Sequence, residues 1–285
     1  MSNEPAVHSP SNLSPTALAE LESVALEVAR ACARLVVDER PEALGVAATK
    51  SSATDVVTEM DRRSEELAST MLHELRPGDG QYGEEGLRSG SPDGITWVVD
   101  PIDGTVNYLY GQASFCVSVA AVIGDPSVPG GWQPLAGAVV APLLEESFAA
   151  YQGGGARRSR RGEETTLRIS AAQGLDQCLV GTGFGYSAER RAEQARALAV
   201  LLPQVRDIRR AGAAALDLCH VADGQLDAYY ERGVHVWDIA AATIICTEAG
   251  AVVRGLDAAP GEDMTIAGPA QTANELADLL RDVHR

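Results

Sequence analysis

Trp97-Val98-Val99-Asp100-Pro101-Ile102-Asp103-Gly104-Thr105-Val106-Asn107 sets an apolar run directly against two acids, a proline and a glycine. Ile95 to Val99 is short, β-branched and aromatic, which predicts a buried strand. Pro101 and Gly104 then force a turn. The strand delivers Asp100 at its C-terminal end, and Asp103 follows within the same turn. Two carboxylates leaving a rigid strand into one tight turn can face a common point. Hard cations such as Mg²⁺ take oxygen ligands in near-octahedral geometry. An Asp-rich turn after a strand is also a common structural device, so Asp100 to Gly104 alone leaves both readings open. The next residues tilt the balance. Gly104 to Asn107 can open a short helix whose free N–H groups face an anion, where phosphate is favoured.

Outward from this segment the periodicity predicts two helices followed by a largely antiparallel sheet. Ser14-Pro15 reads as an N-cap and first-turn proline. Leu18, Leu21, Val24, Ala25, Val28 and Leu35 then recur at helical spacing to about Arg40. A second helix is predicted from Thr58 to Leu75, ahead of Pro77-Gly78. Phe115 to Ile123, Leu135 to Val140 and Ser147 to Tyr151 read as further strands. Gly153 to Glu164 carries four arginines and reads as a solvated hairpin tip rather than a phosphate or RNA patch. The second half alternates strand signals (Gln177 to Gly181, Asp227 to Tyr230) with helical ones. These are Ala188 to Leu202, Ala213 to Val221, Asp238 to Ala249 and Asn274 to Val283. The class is α+β. The chain divides into a short disordered lead (1–14), an N-terminal α+β subdomain (15–165) and a C-terminal α/β subdomain (166–285).

Composition narrows the function. The 285 residues are 45% hydrophobic and 22% charged, as suits a protein with a sizeable core. A formal charge of −17 argues against direct nucleic-acid binding, which needs a basic surface. It allows small phosphorylated ligands, because carboxylates can hold a cation that holds the phosphate. No apolar run approaches the ~20 residues of a membrane helix, and the polar N-terminus lacks the pattern of a secretory signal. The five cysteines (Cys32, Cys116, Cys178, Cys219, Cys246) are scattered and form no C-x-x-C pair. They read as free buried thiols in a reducing cytoplasm.

Three further acidic elements stand out. Gly83-Glu84-Glu85-Gly86 precedes the Trp97 strand, and by itself reads as an exposed acidic loop. Asp55-Val56-Val57-Thr58-Glu59-Met60-Asp61 fits a capping box at the second helix. Asp61 there could also accept a bond from a catalytic hydroxyl. Trp237-Asp238-Ile239-Ala240-Ala241-Ala242 puts an acid at or near the cap of an apolar helix. No histidine lies beside these acids in the sequence. His73 reads as a surface or packing residue, and His220 and His235 as structural.

Taken together, these stretches resemble the inositol monophosphatase family, within the Mg²⁺-dependent, lithium-sensitive phosphatases. The matching segments are Lys50-Ser51-Ser52 with Asp55 to Asp61, Gly83-Glu84-Glu85, Trp97 to Asn107, and Asp227 to Gly250. They occur in family order from about Leu18 onward. The resemblance implies a layered α-β-α-β-α sandwich, a homodimer and Mg²⁺ as cofactor. It implies that Glu84, Asp100 and the Ile102 carbonyl hold a first Mg²⁺. Asp100, Asp103 and Asp238 would hold a second, and Glu84 a weaker third. Thr105, bonded to Asp61, would activate water. Gly104 and Thr105 would grip phosphate through backbone N–H groups. Gly212, Ala214 and Glu231 would contact the leaving alcohol. Tyr108 replaces the usual Phe, Ala213 a frequent Ser or Thr, and Thr182 to Tyr186 follows bacterial members. These departures are expected at the substrate rim.

The activity implied is hydrolysis of inositol 1-phosphate by in-line attack of water. Relatives with the same metal turn handle histidinol phosphate, fructose 1,6-bisphosphate or 3′-phosphoadenosine nucleotides. A third reading, in a different class, is a protein-binding role in transcription or RNA maturation.

Overall fold

The computed structural model describes residues 13–40, 46–49, 56–90, 94–172 and 174–283. The lead falls outside the described residues up to position 12, as do Lys50, Ser51, Ser52 and Asp55. The chain opens with α1 (Pro15–Asp38), where the Ser14 hydroxyl accepts the Ala17 N–H at 3.2 Å and Pro15 occupies the first turn. A small antiparallel pair, β1 (Val46–Thr49) and β2 (Val56–Thr58), leads into α2 (Glu59–Leu75). The first large sheet draws on β3 (Gly80–Gly83), β4 (Arg88–Ser89), β5 (Ile95–Asp103), β6 (Cys116–Gly124) and β7 (Trp132–Ala141). It is completed by β8 (Glu146–Tyr151), β9 (Gly155–Arg160) and β10 (Glu163–Thr166), with a short α3 (Thr105–Leu109) after β5. Its order is β10-β9-β8-β7-β6-β5-β3-β4, antiparallel except where β3 lies beside β5.

The rest of the chain supplies β11 (Leu179–Thr182), α4 (Ala188–Leu201), β12 (Asp207–Arg209), α5 (Ala214–Ala222) and β13 (Ala228–Glu231). It ends with α6 (Val236–Glu248), β14 (Val252–Arg254), β15 (Thr265–Gly268) and α7 (Ala270–Val283). These strands form a second sheet in the order β12-β11-β13-β15-β14.

The two sheets are layers in an α-β-α-β-α sandwich. α1 and α2 cover the outer face of the large sheet, packing Leu21, Val28, Cys32 and Leu72 with Trp97, Val119 and Leu135. α5 and α6 fill the space between the sheets. α4 and α7 cover the far face of the second sheet around Leu201, Leu276 and Leu280. The middle layer explains the composition of Trp237 to Ala242. A Cβ added to Gly137 of β7 would lie 2.7 Å from the Ala241 Cα, so glycine and alanine permit backbone contact between sheet and helix. Ala240, Ala241 and Ala242 are wholly buried for the same reason.

Three sequence expectations are corrected. The Gly153 to Glu164 stretch is two paired strands rather than a loop, and its arginines are ion-paired. Arg157 meets Glu22 at 2.5 Å and Glu164 at 3.4 Å, Arg160 meets Glu146 at 3.3 Å, Arg161 meets Glu145 at 2.8 Å, and Arg158 meets Asp223. A strand whose outward residues are arginines shows no apolar alternation, which hid it. Tyr108 is not at the substrate rim. It is fully buried, its ring edge-on to Phe115 and its hydroxyl donating to the Val36 carbonyl at 2.7 Å. The extra oxygen relative to Phe thus ties α3 to α1. Finally, α6 begins before Asp238, with His235 as its cap.

Candidate active site

The strand β5 runs through the acidic turn. Its ladder with β6 is regular to Asp100 opposite Ser118, then shifts register before Asp103 opposite Cys116. This irregularity re-aims the two carboxylates. Ser64 of α2 supports the turn by donating its hydroxyl to the Pro101 carbonyl at 3.2 Å. Gly104 closes it with φ +89°, in the left-handed region, where a side chain would also meet the Ser114 carbonyl at 2.9 Å.

Asp238 arrives from the far part of the chain. Ser118, opposite Asp100, donates its hydroxyl to the Trp237 carbonyl at 3.2 Å and so ties the first turn of α6 to β6. Asp238 accepts the His235 N–H at 2.5 Å in a capping box. Oxygens of Asp100, Asp103 and Asp238 then lie within 4.8 Å of one another. Glu84, at the turn after β3, is close enough for its charge to act on all three.

The surroundings make this cluster electrostatically strained. Burial, then the charges of Glu84, Asp103 and Asp238, pushes Asp100 well above the usual carboxylate range. Burial likewise raises Asp238, with Asp103 and Glu84 adding to it. Asp103 is pushed up to about 6 by burial, although three donors oppose the shift. The Ala214 N–H reaches its Oδ1 at 3.1 Å, the Ala215 N–H its Oδ2 at 2.7 Å, and the Cys116 thiol the same oxygen at 3.6 Å. Asp103 therefore also caps the N-terminus of α5, where a negative charge is favoured. The Ile102 N–H donates to Asp100 Oδ1 at 3.1 Å, yet Asp100 Oδ2 is buried and has no hydrogen-bond partner among the described residues. An all-oxygen donor set with an unsatisfied buried acceptor fits a hard cation.

These groups line a cleft of about 490 Å³. Gly104, Thr105, Gly212, Ala214 and Glu231 also line it. The Thr105 hydroxyl donates to the Ile102 carbonyl at 3.0 Å. Asp61 itself is buried on α2. Burial pushes Glu231 up to about 7, partly offset by a hydrogen bond from the Tyr229 hydroxyl. Gly183 leaves room for that carboxyl, since an added Cβ would sit 2.0 Å from Glu231 Oε2.

The inositol monophosphatase family pattern matches residues 17–284 of this chain. The chain belongs to the inositol monophosphatase family. An inositol-1-monophosphatase of Mycobacterium leprae is 45% identical, over 83% of this chain and 85% of its own. A Nus factor SuhB of Xylella fastidiosa is 36% identical, over 81% and 83%. Among solved structures, Mycobacterium tuberculosis SuhB superposes with a TM-score of 0.78 at 41% identity, covering 93% of this chain and 97% of that one. Family membership makes the protein a phosphomonoesterase of a metal-dependent kind.

Two neighbours of this inositol monophosphatase cluster escaped the sequence reading. Glu65 of α2 is buried and accepts the Glu85 N–H at 2.8 Å and the Leu87 N–H at 3.3 Å, which fixes the loop bearing Glu84. A signal existed: Asp61 and Glu65 sit in helical register with the buried Ala68 and Leu72, and acids on an apolar stripe are unusual. His235 caps α6, lines the cleft and stacks on Trp237 with ring centroids 4.8 Å apart. It is structural as expected, but it does stand beside the acids. His220 pairs with Glu146 at 3.6 Å.

Proposed function

We propose that the protein hydrolyses inositol 1-phosphate to inositol and phosphate, with Mg²⁺ as cofactor. The observation that supports this most directly is the convergence of Asp100, Asp103 and Asp238 in a polar cleft, with a buried Asp100 oxygen that has no hydrogen-bond partner among the described residues. In this reading Glu84, Asp100, Asp103, Asp238 and the Ile102 carbonyl hold the metal. When bound, Mg²⁺ polarises the phosphoryl oxygens, lowers the pKa of water and offsets charge on the departing alkoxide.

The chain's own groups would do the rest. N–H groups of Gly104 and Thr105, at the start of α3, orient the phosphate. Thr105 and Asp61 orient the attacking water, which requires the Thr105 hydroxyl to turn from the Ile102 carbonyl. Glu231, half-buried and held by Tyr229, accepts hydrogen bonds from hydroxyls of the leaving alcohol, beside the backbone of Gly212 and Ala214. Water adds to phosphorus as the P–O bond to the alcohol breaks, and no phosphoenzyme forms. We also propose that the protein forms a homodimer, to be checked by sedimentation. Phosphate release from a panel of inositol 1-phosphate, histidinol phosphate, fructose 1,6-bisphosphate and a 3′-phosphoadenosine nucleotide tests the substrate. Highest kcat/KM on inositol 1-phosphate supports the reading, and a clear preference for another member replaces it.

A further inference from the structure

Asn107 stands at the end of the acidic stretch, and its side chain has no part in the proposed chemistry. It is buried in α3, and its carboxamide nitrogen donates twice, to the Ser114 carbonyl at 2.6 Å and to the Ala211 carbonyl at 2.8 Å. A carboxamide offers two N–H donors, and here each meets a different segment. Ser114 lies between α3 and β6, whereas Ala211 lies 104 residues from Asn107, between β12 and α5. Both carbonyls belong to irregular backbone, so no helix or sheet ladder supplies their donor. Without Asn107 two part-buried acceptors would lose the partner that the fold provides.

Ala211 begins a short segment, 211–215, that the β5–α3 stretch holds at both ends. Asn107 grips its start, and Asp103 accepts the Ala214 and Ala215 N–H groups at its end. Between these grips the two turns touch glycine to glycine. An added Cβ at Gly104 would lie 3.2 Å from the Ala213 Cβ and 3.3 Å from the Gly212 carbonyl, and one at Gly212 would lie 3.2 Å from Asn107 Nδ2. Gly212 has φ +95°, so the segment turns there in the left-handed region. Ala213 caps α5 without a side-chain hydrogen bond, so the start of that helix is secured from outside and not by its own cap residue. Asp103 also belongs to the acidic cluster; Asn107 does not.

We propose that Asn107 is a positioning residue: it holds segment 211–215 against the Gly104 turn and so sets the spacing between the phosphate grip and the backbone that receives the leaving alcohol. This rests on the phosphatase reading above and deepens it. In this role Asn107 touches neither phosphate nor alcohol; it makes the two halves of the cleft one frame. An ester spans both halves and depends on their spacing. Inorganic phosphate is held on the Gly104 side and does not.

Asn107→Ala removes both donors, and Asn107→Asp replaces them with acceptors in the same shape; the alanine variant decides if the aspartate variant does not fold. At saturating Mg²⁺ each should raise KM for inositol 1-phosphate about fivefold, with kcat and the inhibition constant of inorganic phosphate within about twofold of wild type. A merely structural role would lower kcat through a smaller active fraction and leave KM alone, and that result overturns the proposal. Hydrogen–deuterium exchange of the metal-free protein reads the segment apart from turnover. Amides 211–216 should exchange about tenfold faster in the variants, while those of β9 and β10 keep the wild-type rate. Unchanged exchange at 211–216, or faster exchange throughout the chain, also overturns it. Faster exchange confined to 211–216, in a protein whose wild type does not hydrolyse inositol 1-phosphate, keeps the grip of Asn107 on the segment and rejects the inositol 1-phosphate reading.

Discussion

The β9–β10 hairpin and the β5 turn gather like charges in opposite ways. In the hairpin, Arg157, Arg158, Arg160 and Arg161 each find a carboxylate, and Glu146 is lowered by its hydrogen bond to His220. Around the β5 turn, Asp100 and Asp103 meet Asp238 of α6, and all three are raised, by burial first and then by neighbouring carboxylates, Glu84 among them. Compensated charge is a structural fastening. Uncompensated like charge in a buried cluster is unfavourable unless a ligand completes it, and that marks a site.

The largest expected effect breaks the acidic cluster. Asp103→Asn should lower kcat on inositol 1-phosphate by about 10³-fold, with an unchanged circular dichroism spectrum. Activity near wild type would remove Asp103 from the chemistry. Next comes the second ring around that cluster. Glu65→Ala should raise the Mg²⁺ concentration for half-maximal activity about tenfold, because the Glu84 loop loses its anchor. An unchanged Mg²⁺ dependence would mean the loop holds itself.

Stability should separate the two regions as well. Saturating Mg²⁺ should raise Tm by about 5 °C over chelator, by relieving the carboxylate repulsion. Arg158→Ala should cost about 1–2 kcal/mol in urea unfolding while leaving kcat/KM and the Mg²⁺-dependent Tm increment as they were. A Tm that ignores Mg²⁺ would argue against a preformed cluster, and an increment lost in Arg158→Ala would couple the regions.

The smallest effect is the pH slope. Asp103 has a folded value of about 6, above the ordinary Asp value of 3.8. A raised acid contributes stability that is complete below its unfolded value and lost as pH rises through the folded one. In chelator, Tm should therefore fall as pH rises from 4 to 7, and Mg²⁺ should flatten that fall. Glu146 has the opposite sign, being lowered: its contribution is present above the ordinary Glu value and lost as pH falls through the lower folded one. A Tm that does not fall across this window in chelator would show that the cluster does not govern the slope.

Much of the architecture was legible because its signals are local. The Leu18-to-Leu35 spacing predicts α1, and the Ser14-Pro15 cap is observed where it was read. The short strands β4, β12 and β14 were not legible, since two or three residues carry no period. Glu65 was missed because its task is to receive backbone N–H groups from a distant loop.

By itself the sequence determined that a buried strand leads into the acidic stretch at Asp100 and Asp103. Pro101, Gly104 and the apolar run before them act through short-range sterics that hold in any context. Only the tertiary structure decided that Asp238 joins them. That depends on Gly137 admitting the alanine face of α6, and on Ser118 holding the Trp237 carbonyl. Such contacts link residues far apart in the chain, and no local pattern encodes which partner a packed surface will meet.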